Sequence, residues 1–182
     1  MSDKTYETKY LDDVLPRLSD YLLQDDLFWP VNTFATPPYP KLTLGNALLF
    51  LMRLQAKDAE AAQDYVAKLD ALRNEWKSHW EEKAVEEYKS RLQHWRQYLD
   101  ELIKEPQTHA AYYHTEVRLR TLLSILHDEV KQSDLPPEAE LLSALDSRLK
   151  AHVVSGDFVW GEDYAAVFSQ GEYWYLYARP RV

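Results

Sequence analysis

Hydrophobic positions recur along most of this chain at steps of three and four, the spacing that places side chains on one face of an α-helix. Leu11, Leu15, Leu18 and Leu22 form the first such stripe, and Pro16 inside it predicts a kink or the first turn of a second piece. After Thr43 the run NALLFLMRLQA is apolar on nearly every side, as in a helix covered all round. The longest stripe runs from Ala62 through Tyr65, Leu69, Leu72, Trp76, Trp80, Ala84, Tyr88, Leu92, Trp95 and Leu99. With neither Gly nor Pro between Gly45 and Pro106, it predicts one long helix over about 58–104, roughly 70 Å if straight. Ser78 followed by Glu81 fits a capping box and marks 74–78 as the place for a bend. His109–Lys131 carries Leu119, Leu122, Leu126 and Val130 on one face. Pro136 and Pro137, with Asp134 as cap, open a shorter helix bearing Leu142, Leu145 and Leu149.

Two stretches break the helical pattern. The loop FWPVNTFATPPYPKLT sets Phe28, Trp29, Phe34 and Tyr39 among prolines that stiffen it, so that it reads as a lid on the helices or the wall of a small apolar pocket. The C-terminal aromatic stretch predicts short strands at Phe158–Trp160 and Tyr173–Ala178, with EDYAAVF between them as a single helical turn. Strand alternation would put Trp174 and Leu176 against the helices, leaving Tyr173, Tyr175 and Tyr177 on a half-wet face. The expected fold is mainly α: a single domain over 1–182, built as a bundle of about five helices with a two-stranded β appendage over about 157–179.

Composition narrows the function. A formal charge of −9, from 30 acidic and 21 basic residues, opposes binding to a phosphate backbone, so nucleic acid is not expected as a partner. The chain has no cysteine, which removes disulfides, thiolate nucleophiles and cysteine zinc sites. No apolar run is long enough to cross a bilayer, and the charged start lacks a signal-peptide core, so a cytoplasmic protein without membrane partners is expected.

None of the six histidines stands in a His-Glu-x-x-His or Glu-x-x-His arrangement. His127-Asp128, at the end of the apolar segment LLSILHD, resembles the signature of HD-type phosphohydrolases, all-helical enzymes in which His and Asp bind a metal ion. That resemblance implies a metal at His127 and Asp128, with His114 or His109 as a further ligand. The sequence departs from the pattern in having Glu129-Val130-Lys131 where Gly-Lys usually follows. In the same segment Glu116 and Arg120 stand four apart, ready to pair along one face. The preferred expectation is a non-catalytic protein, needing no cofactor, that binds another protein or itself. Its candidate contact residues are Trp29, Tyr39, Trp76, Trp80, Glu116, Arg120, Tyr173, Tyr175 and Tyr177. An aromatic pocket for a small apolar ligand is the weaker alternative.

Overall fold

The computed structural model describes residues 4–130 and 132–182, and the chain is mainly α-helical, with a small antiparallel sheet near its C-terminus. It divides into two compact units, one running up to Glu87 and the other Tyr88–Val182, so that the division falls inside a helix.

In the first unit, Thr5 caps α1 (Tyr6–Val14). Pro16 does not end the helix but tightens it into the 3₁₀ turn Leu15–Arg17, which leads straight into α2 (Leu18–Leu22). α3 (Leu44–Lys57) begins where the Thr43 side chain accepts a bond from the Asn46 N–H. It is buried continuously from Leu44 to Leu51, as its all-round apolarity requires. Phe50 on α3 meets the Tyr10 ring at 4.0 Å, and Tyr39 joins the same cluster at 5.4 Å from Tyr10. The buried Glu87 carboxylate accepts the Gly45 N–H at 2.8 Å, placing a negative charge at the positive end of α3.

The expected single helix over 58–104 is two helices, α4 (Ala59–Glu75) and α5 (Lys77–Lys104), separated by Trp76 at φ −111° and ψ 35°. Backbone bonds continue on either side of the joint, from the Trp76 N–H to the Leu72 carbonyl and from the Trp80 N–H to the Trp76 carbonyl. The joint lies within 74–78, where Ser78 and Glu81 mark the place for a bend. Leu69 and Trp80, on either side of the joint, are both 1% exposed in the same unit.

The second unit contains the rest of α5, α6 (Pro106–His109), a 3₁₀ turn, α7 (Tyr113–His127) and α8 (Pro136–His152). α7 stops at His127 rather than running to Lys131, which lies outside the described residues; Val130 is buried beyond its end.

The tail corrects the expected strands. β1 (Val153–Ser155) pairs with β2 (Ala178–Pro180), with Val154 opposite Arg179. Phe158–Trp160 is not a strand, Trp174–Tyr177 is a 3₁₀ turn, and Glu162–Val167 forms the short helical segment. The expected alternation therefore fails: Tyr173, Tyr175 and Leu176 are buried while Trp174 is half-buried under the Lys150 ammonium. The physical reason is an aromatic cluster within the tail. Phe168 sits edge-on to Trp160 and Tyr173 at 5.3 and 5.0 Å, and a flat ribbon would pull these rings apart. Among the described residues no helix is long and apolar enough to cross a membrane.

The cap of α3 has a measurable weight. Thr43→Val keeps the shape and removes the acceptor, so chemical denaturation should show a loss of about 1–2 kcal/mol, with Thr43→Ser losing less.

Candidate interaction surface

The proline-containing loop of the first unit is tied down at both ends and at its middle. Trp29 and Leu42 exchange backbone bonds of 3.1 and 2.8 Å. The Tyr21 hydroxyl donates to the Leu27 carbonyl at 2.8 Å, and the buried Lys83 ammonium donates to the Gln24 and Asp26 carbonyls. At the centre, one oxygen of Asp13 accepts the N–H groups of Asn32 and Thr33 at 2.7 and 2.8 Å. The other oxygen holds Arg17 at 3.1 Å, and the same Arg17 nitrogen donates to the Pro30 carbonyl at 3.0 Å. On the far side the Tyr6 hydroxyl reaches the Pro37 and Pro38 carbonyls, and the Tyr39 hydroxyl returns to the Tyr6 carbonyl at 2.9 Å. Thr36–Pro37 is a cis peptide.

These ties turn the loop's aromatics in opposite directions. Tyr39 is buried against Tyr6, Tyr10 and Phe50, and Trp29 is half-buried edge-on to Tyr21 at 5.8 Å. Phe34 points the other way, with 101% relative exposure. Its neighbours Thr33, Ala35 and Thr36 supply little apolar cover.

An apolar groove of about 390 Å³ opens along α1 and α4 of the same unit. Its walls are Leu11, Leu15 and Pro16 on one side and Tyr65, Ala71 and Leu72 on the other, with Asp12 and Lys68 also lining it. The Tyr65 hydroxyl donates to Asp12 at 2.8 Å, Lys4 pairs with the other Asp12 oxygen at 2.7 Å, and the Lys68 ammonium lies 5.5 Å from the Tyr65 ring centre. Burial alone would raise the Asp12 carboxyl, but the Lys4 and Tyr65 bonds, with the charges of Lys4 and Lys68, outweigh it and hold the group below its ordinary value. Tyr65 is pushed up to about 12, first by burial and then by its bond to the Asp12 anion.

The remaining residues singled out by sequence lie elsewhere. Trp80 is 1% exposed beneath the Arg73 guanidinium, and Trp76 is half-buried beside His79. Arg120 does not pair with Glu116. Its guanidinium forms two parallel bonds to Asp146 at 2.8 and 2.9 Å, donates to the Ser124 hydroxyl at 2.7 Å, and lies 4.5 Å from the Tyr175 ring centre. The reason is geometric: a planar carboxylate on α8 offers the guanidinium a two-point match, which a neighbour one turn back on its own helix does not. Tyr175 in turn bonds Ser124 at 2.8 Å and its carbonyl accepts the Tyr113 hydroxyl at 2.7 Å. The Tyr177 hydroxyl donates to the Phe168 carbonyl at 2.7 Å. Glu116 lines a separate polar cleft of about 400 Å³ with His94, Tyr98, Glu101, His109 and Tyr112.

His127 and Asp128 both border a cleft of about 370 Å³ at the end of α7, their nearest charged atoms 3.9 Å apart. Among the described residues no group of three or more His, Asp and Glu side chains is placed to hold a metal ion. Sequence reasoning read Phe34 among the loop aromatics but did not rank it as a contact residue. The discriminating signal was its small and polar surroundings, which leave a phenyl ring with nothing nearby to pack on.

Compared with models of known protein families, with curated proteins and with solved structures, the chain matches none.

Burial dominates the phenol titrations in both units. Tyr175 is pushed up to about 12, and Tyr98, Tyr113 and Tyr173 are raised as well, desolvation being the largest cause in each. Unfolded tyrosines release their protons near pH 10 while these still hold theirs, so the unfolded state binds fewer protons above that point. Stability is therefore fully present below about pH 10 and falls as pH rises toward about 12. Tyrosinate absorbance should climb in step with loss of helical circular dichroism across that window. Complete ionisation with the helices intact would contradict the burial described.

Proposed function

We propose that the protein acts by binding another protein chain, without catalysis, through the Phe34 face of its first unit. One observation carries this reading: a fully exposed phenylalanine stands on a loop braced by Asp13, Arg17, Tyr6 and Tyr39. An exposed ring adds nothing to folding, whereas burying one is worth about 1.5–3 kcal/mol. A large aromatic side chain carried on an ordered backbone leaves little loop entropy to lose on binding, which favours it as an energetic anchor of an interface. The groove along α1 and α4 supplies a second apolar element in the same unit.

The polar groups of the second unit support the same reading by what occupies them. The Ser124 hydroxyl, the one within a turn of His127, is engaged by Arg120 and Tyr175 rather than by a histidine. That engagement fits a framework role better than that of an activated nucleophile.

A photo-crosslinking phenylalanine analogue at position 34, expressed in the source cells, tests this. The expected result is a discrete protein adduct from position 34 and none from Gln63, an exposed control on α4. Absence of an adduct, or equal labelling at both positions, would count against the interaction reading.

A further inference from the structure

One buried hydroxyl of the second unit is left without a partner. Tyr88 of α5 is 1% exposed and borders the cleft of about 370 Å³ at the end of α7. Among the described residues its hydroxyl makes no hydrogen bond, whereas those of Tyr113, Tyr175 and Tyr177 in the same unit each make one. A phenol so closed to water ordinarily finds a partner, because withdrawing the hydroxyl without one costs stability. Burial raises the Tyr88 phenol most, against the pull of the Arg120 guanidinium, and Asp146 adds to the rise. Arg120 and Asp146 border the same cleft, so the hydroxyl end of Tyr88 stands there with them. We infer that this cleft binds a small organic amine, its ammonium at Asp128 and Glu172 and a neutral hydrogen-bonding group at the Tyr88 hydroxyl.

Charge selects the ligand and sets its direction. Arg120 and Asp146 neutralise each other through their two parallel bonds. The guanidinium near Tyr88 disfavours a second cation at that end. Asp128 and Glu172 also border the cleft, both are exposed, and among the described residues neither is paired with a lysine or arginine. Both raise the Tyr173 phenol, which puts their charges in one neighbourhood. His127, 3.9 Å from Asp128, competes for it only when protonated. The cleft therefore holds one neutralised pair and two uncompensated acids, which attract an ammonium and repel a carboxylate or phosphate. Leu123, Ala139 and Leu142 add apolar lining for the body of the ligand. A dry apolar cavity of about 150 Å³ is enough to hold benzene, so a cleft of about 370 Å³ takes one ring with a short chain.

A nitrogen–proton correlation NMR titration of the purified full chain, at low salt and above the ordinary histidine range, tests the inference. The probes are tyramine, phenethylamine and the anionic analogue hydroxyphenylpropionate. Tyramine should shift amides around Asp128 and Ser143 with a Kd on the order of a millimolar, as suits so small a ligand. Hydroxyphenylpropionate, with the same ring and the opposite charge, should bind at least about tenfold more weakly. Tyr88→Phe should weaken tyramine by about threefold or more and leave phenethylamine, which has no hydroxyl, unchanged. Asp128→Asn, at a side chain 77% exposed, should weaken both amines by about twofold or more. Ser143→Trp, which fills the cleft from an exposed position, should abolish binding of both and serves as the second variant if Tyr88→Phe disturbs folding. Amides that stay still through about 10 mM tyramine overturn the inference and leave Tyr88 to water alone. Equal response to amine and anion overturns it too, as does a tyramine affinity that the substitutions leave untouched.

Discussion

The Asp13 carboxylate accepts two consecutive backbone N–H groups from a loop about twenty residues further along the chain, and it is nearly closed to water, with its side chain 5% exposed. Hydrogen bonds to an ionised group contribute about 1.5–3 kcal/mol each when shielded. Two of them from adjacent residues fix direction as well as position. Arg17 neutralises the same carboxylate and reaches the Pro30 carbonyl, so a single ion pair on the first helical segment orients the loop on both sides of Asn32. The backbone leading into Phe34 is held by that clamp. Without it, binding through Phe34 would also have to order the loop backbone.

The second unit uses polar chemistry differently. Arg120, Asp146, Ser124, Tyr175 and Tyr113 form a connected set in which charge and hydroxyls answer one another. Removing one member of a buried pair leaves an uncompensated charge and costs about 3–5 kcal/mol, so such a set is held together as a whole. Here it joins α7, α8 and the aromatic tail. The tail's many rings are thereby explained without a ligand: a short sheet of three residues per strand cannot stand alone, and packed aromatics supply what it lacks.

Sequence reasoning reached the elements whose signals are local. α3 was legible from its unbroken apolarity and its Thr43 cap, and α8 from Pro136 and Pro137 at its start. What it missed depends on tertiary packing. The Trp76 joint falls inside 74–78, the place that Ser78 and Glu81 mark for a bend, but with no Gly or Pro there the apolar stripe runs through it unbroken, so its location was legible and the break itself was not. The tail strands were displaced because aromatic and β-branched content marks both strands and packed irregular segments. Arg120 was read with its helical neighbour Glu116 because spacing shows i and i+4, whereas Asp146 lies 26 residues away. For Phe34 the local signal, small and polar neighbours, was present, whereas the loop's ties to Asp13 and Tyr6 come from elsewhere in the chain and could not be read from it.

An anchored loop at Phe34 requires the Asp13 clamp to persist in solution, and amide hydrogen exchange at Asn32 and Thr33 reports it directly. Both amides should exchange far more slowly than those of an unstructured loop, and Asp13→Ala should release them while the helices keep their protection. Exchange of Asn32 and Thr33 at free-peptide rates in the wild type would contradict a preorganised Phe34.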